Sequence, residues 1–192
     1  MSVLLVVSGA SGSGKTTLCR QLQQKDMAYY AISATTRAMR AGEEHGKDYF
    51  FLTVDDFTAK IERGEFLEYA QVHNAYYGTL IAEVVNHLEQ GKNVLIDIDV
   101  QGAAQIRACE HPLVQASLVD LFVSVELEEL RKRLHNRGDD ADSIELRMEN
   151  AEYELTQKHL YQYELVSKSR EQDYATFEKI FLDEQAEKAN KP

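Results

Sequence analysis

No apolar run in this sequence approaches the ~18 residues needed to cross a bilayer. The first run, Val3-Leu4-Leu5-Val6-Val7, is too short for a secretory core and has no basic leader before it. The expectation is a cytoplasmic protein with no membrane partner. Cysteine is scarce: Cys19 and Cys109 stand far apart, with no metal-like spacing to other Cys or His. Reduced, packed thiols are expected rather than a disulfide framework. Positive charge is also in deficit, with 21 Lys and Arg against 32 Asp and Glu and a net charge of -11. That balance argues against nucleic acid as a partner, because such binding usually shows as a basic face. The deficit is uneven, however: the first 47 residues carry Lys15, Arg20, Lys25, Arg37, Arg40 and Lys47 against only Asp26, Glu43 and Glu44. A chain of 192 residues, 44% hydrophobic and 28% charged, fits one globular domain, or one core with small insertions.

What is present is organised around Gly9-Ala10-Ser11-Gly12-Ser13-Gly14-Lys15-Thr16. An apolar strand precedes it and Thr17-Leu18-Cys19-Arg20-Gln21-Leu22 continues it as a helix. The spelling G-x-x-x-x-G-K-[ST] in that context is the phosphate-binding P-loop. Glycines reach backbone conformations closed to residues with a Cβ and turn successive N–H groups toward one anion. The helix that follows adds its unpaired N–H groups and the positive end of its dipole. In such a loop Lys15 reaches the β- and γ-phosphates of a nucleoside triphosphate, and the Thr16 hydroxyl is a ligand for Mg²⁺.

Further along, Tyr30 to Ser33 reads as a short strand running into a loop without helical period, residues 34–50, in which Arg37 and Arg40 lie among glycines. Two arginines at that spacing are either a solvated patch or a fork for an oxyanion, for which a planar guanidinium is well shaped. Thr53-Val54-Asp55-Asp56 has the form of a helix start, with Phe57 and Ile61 inward and Gly64 as the stop. Phe66 to Val72 and Ala75 to Thr79 form a hairpin about His73-Asn74. Within it Glu68, between Leu67 and Tyr69, either points to water or is a buried acceptor. Ile81, Val84, Val85 and Leu88 recur at helical spacing and end at Gly91. Asn93 to Asp99 is a second apolar strand that ends in carboxylates, the form of a Walker B element. Leu118 to Ser124 is a third strand, and Tyr163 to Val166 a last one. Strands alternating with helices imply a parallel sheet covered on both faces, with ligands at the carboxyl ends of the strands. Leu127 to Leu155 is helical and heavily charged, either a solvated helix pair or a mobile lid carrying arginines. Phe177, Ile180 and Phe181 anchor a closing helix.

Taken together, the P-loop, Ser33-Ala34-Thr35-Thr36-Arg37, Arg40-Ala41-Gly42-Glu43, Gly46-Lys47-Asp48-Tyr49, Gly64-Glu65-Phe66-Leu67-Glu68, Tyr76-Tyr77-Gly78-Thr79 and Asp97-Ile98-Asp99-Val100-Gln101-Gly102 resemble the guanylate kinase family along nearly the whole chain. The resemblance implies an α/β fold: a P-loop NTPase parallel sheet flanked by helices, with a small mixed β insertion for GMP and a helical lid. It divides the chain into a core of residues 1–32, 85–124 and 158–192, a GMP-binding region 33–84 and a lid 125–157. It implies transfer of the γ-phosphoryl of ATP to GMP, and to its 2′-deoxy counterpart, with Mg²⁺, by a monomer or homo-oligomer. ATP would lie on Gly9, Ala10, Ser11, Gly12, Ser13, Gly14, Lys15, Thr16 and Thr17. The GMP phosphate would be held by Arg37, Arg40, Tyr49 and Tyr77, and the guanine by Ser33, Glu68 and Thr79. Asp97 and Asp99 would serve the metal and the substrate side, Thr16 being the protein's direct ligand to Mg²⁺. Lys15 and Arg37, with the lid arginines Arg133, Arg137 and Arg147, would carry the catalytic charge. Two departures stand out: Val166-Ser167-Lys168-Ser169-Arg170 replaces the Asn-Asp type pair usual near the adenine, and the linker Gly138 to Asp142 differs slightly in length.

Two relatives of the family make different expectations. Peptide-binding domains of scaffold proteins share the GMP half but carry a degraded P-loop, whereas Lys15 and Thr16 are intact here. A kinase acting on a ribose bisphosphate would lack the set Ser33, Glu68 and Tyr77.

Overall fold

Leu4, Leu5, Val6 and Val7 are all buried, so the first strand, β1 (Leu4–Ser8), is covered on both faces, as continuous apolar strands of parallel sheets are. The computed structural model describes residues 1–190. After β1 come α1 (Lys15–Gln24), β2 (Tyr29–Tyr30), β3 (Ala34–Thr35), β4 (Phe50–Phe51), α2 (Val54–Glu62), β5 (Phe66–Val72), β6 (Ala75–Leu80) and α3 (Ile81–Glu89). The chain continues through β7 (Val94–Asp97), α4 (Val100–Ala108), α5 (Pro112–Ser117), β8 (Leu118–Ser124), α6 (Leu127–Arg137), α7 (Ala141–Thr156), β9 (Tyr163–Val166) and α8 (Arg170–Asn190), with a 3₁₀ turn at Lys158–Leu160.

The larger sheet is five-stranded in the order β2-β7-β1-β8-β9, and its pairings are parallel. One face carries α3, α4 and α5, whose Val84, Leu88, Ile106 and Val114 join Leu4, Val6 and Phe122 in one cluster. The other carries α1 and α8, whose Leu18, Cys19, Leu22, Phe177 and Phe181 pack on Leu5, Val7 and Leu121. This is the doubly covered P-loop sheet that the strand rhythm implies. Val7 lies in register with Asp97, so the loop leaving β1 and the acidic end of β7 emerge side by side.

The smaller sheet is mixed, in the order β4-β3-β6-β5, with β3 parallel to β4 and antiparallel to β6. The β5–β6 hairpin turns at His73, whose φ of 55° fits a tight two-residue connection. Beneath it, α2 starts at the expected threonine, Thr53 Oγ1 accepting from Asp56 N–H at 3.1 Å. Phe57 then stacks on Phe66 and Tyr76, with ring centroids 4.2 and 5.4 Å away.

A third cluster, Ala10, Val125, Leu130, Leu134, Ile144, Met148 and Ala151, seats α6 and α7 on the P-loop itself. The charged segment is therefore two helices with a buried inner stripe.

Some boundaries differ from the sequence expectation. The strand expected over Tyr30 to Ser33 pairs only at Tyr29–Tyr30, because Ile32 N–H turns aside to Glu83 Oε1 at 3.2 Å. β3 and β4, at two residues each, lie in the segment without helical period and are too short for any alternation to show. α4 is interrupted by Gly102, and α5 is only six residues opened by Pro112, so neither announces itself by periodicity.

Phe57→Ala removes a fully buried ring that two other rings stack on. The expected loss is about 3–5 kcal/mol of unfolding free energy, read by equilibrium denaturation. A loss under 1 kcal/mol would show that the hairpin does not depend on α2.

Candidate active site

The P-loop's geometry follows from its glycines. Gly9, Gly12 and Gly14 have φ of 139°, 92° and 101°. A Cβ on Gly9 would stand 2.3 Å from the carbonyl oxygen of Val123, so no other residue fits there without moving β8. Gly14 is the N-cap of α1 and brings no capping side chain, whereas Thr53, Asp99 and Asp140 cap α2, α4 and α7 with theirs. The first amides of α1 are thus left for an anion. Lys15 folds over the loop and donates to Gly9 O at 2.6 Å and Ala10 O at 3.1 Å. The Ser13 hydroxyl is buried and has no hydrogen-bond partner among the described residues. Thr16 donates its hydroxyl to Asp97 Oδ2, which also accepts from the Tyr30 hydroxyl at 3.3 Å. Burial and the Asp97 charge push the Tyr30 phenol up. A cleft of about 690 Å³ opens beside this loop, lined by residues 12–17 with Arg133, Arg137, Lys168 and Arg170.

Asp99 takes a different part from Asp97. Its carboxylate caps α4 by accepting from Gly102 N–H at 2.8 Å. The two acids that end β7 are therefore separated: one faces the P-loop threonine, the other starts a helix.

On the smaller sheet, Arg37 is aimed by hydroxyls. Its N–H donates to Thr35 Oγ1 at 3.1 Å, and Thr36 Oγ1 accepts from Tyr76 N–H at 2.9 Å, tying the loop to β6. Its guanidinium forms a fork on Glu43, at 3.0 and 2.8 Å, and lies 5.5 Å from the Tyr49 ring centroid. Tyr49 stands edge-on to Tyr77 at 6.1 Å. Glu43 is held below its usual carboxylate value by Arg37 and also accepts from Arg40 N–H at 2.8 Å. Arg40 itself is exposed at the rim. Arg37, Tyr49 and Tyr77 thus form one cluster, with Arg40 beside it through Glu43.

Glu68 is buried, at 3% exposure, and so is Leu67 before it. Regular alternation forbids two consecutive buried residues on a one-faced strand. The explanation is a bulge: Phe66 pairs with Leu80 but Glu68 pairs with Thr79, so β5 gains a residue there. The partner strand accepts it through Gly78, where a Cβ would lie 2.7 Å from Glu68 O and 2.9 Å from Phe66. Glu68 is thereby turned inward opposite the buried Thr79, beneath Gly102 of α4. Burial raises its pKa above the ordinary value of 4.5; bonds from Thr79 pull the other way and Asp99 adds to the rise. Ser33 lies half-buried just before β3, its carbonyl accepting from Phe50 N–H at 2.9 Å.

Two of the arginines of α6 and α7 reach the P-loop. Arg147 Nη1 donates to Ser11 Oγ at 2.6 Å, and Arg133 donates to Ser13 O at 3.4 Å and to Ser167 Oγ at 3.1 Å. Arg137 lines the cleft and is paired with Asp139, which also meets Arg147 Nε at 3.3 Å. In the segment 166–170, Ser167 donates to Asp173 Oδ2 at 2.6 Å and Lys168 N–H to Oδ1 at 2.7 Å. A carboxylate from α8 therefore stands in the segment where the resemblance expects an Asn-Asp type pair.

Three residues escaped the sequence reading. Asp139 gathers two lid arginines, yet in sequence it is one acid in a charged run. Glu154, half-buried on α7, has its pKa raised by burial, lowered by Lys15 and raised by Asp99. Its carboxyl therefore feels the charges of both the P-loop lysine and Asp99. The third is Gln105, whose amide bonds the main chain of Tyr69.

Comparison with known proteins agrees with this geometry. A family model described as guanylate kinase matches residues 1–184. The guanylate kinase of Fusobacterium nucleatum is 41% identical over 173 residues, spanning 90% of this chain and 91% of that protein. That of Syntrophomonas wolfei is 46% identical over 169 residues, spanning 86% and 84%. Among solved structures, guanylate kinase from Anaplasma phagocytophilum superposes with a TM-score of 0.71 at 27% identity, covering 96% of this chain and 86% of that one. With a complete P-loop, a family model matching residues 1–184 and relatives at 41% and 46% identity over most of its length, this chain belongs to the guanylate kinase family.

Proposed function

We propose that this protein transfers the γ-phosphoryl group of ATP to GMP, giving ADP and GDP, and that it accepts the 2′-deoxy form as well. The observation that carries the reading is Glu68, a carboxylate placed inside the protein by a bulge opposite Thr79, in a chain whose P-loop is complete. Guanine offers N1–H and its 2-amino group side by side, two donors that suit one carboxylate. Adenine presents a lone pair at N1, and an unmatched buried group costs about 1–3 kcal/mol. A site built on such pairing rejects the wrong base strongly. Ser33 and Thr79 would complete base recognition, and Arg37, Arg40, Tyr49 and Tyr77 would hold the phosphate.

The acceptor phosphate has a second pKa of about 6, so its attacking oxygen is mostly ionised at neutral pH and needs no base. The task is to bring two polyanions into line without water. Lys15 and the α1 amides hold the donor phosphates, Arg37 the acceptor, and Arg133, Arg137 and Arg147 meet the charge of the transferring group. Closure of residues 125–157 over the cleft keeps water from accepting the phosphoryl. In this division residues 1–32, 85–124 and 158–192 are the core and 33–84 the acceptor region. The hard oxygens of Thr16 and Asp97, in direct contact, form a donor set that fits Mg²⁺; Asp99 is occupied by its cap. When bound there, the ion neutralises the β- and γ-phosphate oxygens. Cys19 and Cys109 are free thiols and no described helix is long and apolar enough to cross a membrane, in keeping with the cytoplasm as its place of work.

A coupled assay with ATP and Mg²⁺ should give turnover with GMP far above AMP, CMP and UMP, and loss of turnover with EDTA. Preference for any other monophosphate would overturn the reading. Lys15→Ala should lower kcat by about a hundred- to a thousand-fold while GMP binding by calorimetry stays nearly unchanged.

Glu68 supplies a pH test. Its raised pKa leaves it protonated where an ordinary carboxylate is ionised, and guanine needs the ionised form. KM for GMP should therefore climb as pH falls toward and through that raised value, above 4.5. In Glu68→Gln this limb should vanish, leaving only the limb from the phosphate of GMP. The same limb in both proteins would remove Glu68 from the base site.

A further inference from the structure

The bulge that turns Glu68 inward lies on β5, the outer strand of the smaller sheet. A bulge leaves its extra residue unpaired and the ladder locally disrupted, and an edge strand has one side of its backbone open, so few main-chain bonds hold β5 at this point. Immediately after the bulge, at Tyr69, that open face is filled. Gln105 Oε1 accepts from Tyr69 N–H at 3.0 Å, and Gln105 Nε2 donates to Tyr69 O at 3.0 Å. One amide side chain thus offers the same acceptor and donor that a neighbouring strand would offer, to one residue of β5.

The amide belongs to α4, and its position there is significant. Three residues earlier in that helix stands Gly102, where a Cβ would collide with Ile98 at 2.2 Å and reach within 3.4 Å of Glu68 Oε2. Three residues before that stands Asp99, the cap of the same helix. Asp99, Gly102 and Gln105 therefore present one helix face to the bulge: a carboxylate near Glu68, a gap that lets its oxygen approach, and a clamp on the next residue's main chain. α4 grows directly out of β7, whose Asp97 meets Thr16 of the P-loop. The clamp ties the base-reading strand to the donor side of the site through one rigid helix.

We propose that Gln105 is a positioning residue for guanine selectivity: it fixes the register of the bulge and so the aim of Glu68, without touching substrate itself. This rests on the reading of Glu68 as the guanine acceptor. Tyr69 is exposed, so its amide protection against solvent exchange comes from the clamp rather than from burial. Loss of the clamp lets the strand slip at the bulge and lets the Glu68 oxygens wander from the N1 and 2-amino positions.

The test uses Gln105→Met, which keeps length and bulk but removes both hydrogen bonds, alone and combined with Glu68→Gln. Gln105→Met is expected to raise KM for GMP about five-fold or more, at about one net hydrogen bond's worth. The preference for GMP over AMP should fall in parallel, with kcat and KM for ATP little changed. In the Glu68→Gln background the same substitution should change the preference hardly at all, because the group it aims is gone. An equal effect in both backgrounds, or no change in preference with the single variant, overturns the proposal. If Glu68→Gln alone leaves GMP preference intact, it is the base-reading role of Glu68 that fails. Hydrogen exchange adds a readout that needs no variant: the Tyr69 amide of the wild-type protein should exchange slowly despite its edge position. Fast exchange there overturns the clamp directly.

Discussion

Repulsion between two polyanions is the constraint this structure is arranged around. Phosphates of donor and acceptor must approach within bonding distance, and each brings negative charge to a protein that is itself acidic overall. The cations that meet them cannot be left unpaired in the free protein, nor bound so firmly that they are unavailable. The structure meets both demands with exchangeable partners. Arg37 rests on Glu43, Arg137 and Arg147 on Asp139, and Arg133 on Glu129. Solvent screens such ion pairs, so a phosphate can replace the carboxylate. Lys15 does the same with carbonyl oxygens of its own loop. In the proposed function, these carboxylates and carbonyls are internal stand-ins for the phosphates.

In the proposed function, base recognition by Glu68 obeys the opposite rule. A carboxylate that reads two donors must be desolvated, or water competes for it, yet a desolvated carboxylate resists ionisation. Glu68 is buried by a bulge and a glycine across from it, and its pKa is raised. Bonds from Thr79 offset part of that cost. Selectivity would then be taken from local backbone irregularity, and phosphate binding from flexible cations.

This contrast explains how much was legible in the sequence. The P-loop could be read outright, because each glycine there serves a conformation no other residue adopts and the spacing is fixed by the anion. The hairpin, the first apolar strands and the last strand at Tyr163–Val166 could be read from alternation and apolar runs. Glu68 could not be settled from alternation, since a bulge is a departure from the period on which that reading depends; only resemblance pointed to its burial. Gln105 meets Tyr69 across 36 positions, and Glu154 feels Lys15 and Asp99, far from it in sequence. Asp139 pairs with Arg137 and Arg147 inside a run of charges that gives no sign of which acid does so. Their types are ordinary on helix surfaces, and only the folded chain shows what they face.

The seat of α6 and α7 has a further implication. Ala10 belongs to the same apolar cluster as Leu130, Leu134 and Met148, and a Cβ on Gly12 would lie 3.2–3.3 Å from Leu134 and Leu130. α6, α7 and the P-loop therefore share one packed surface rather than meeting only through solvent. Grafting these helices from a distant homologue would bring different bulk against residues 10 and 12, so helix pair and loop form a single inheritable module that must be exchanged together.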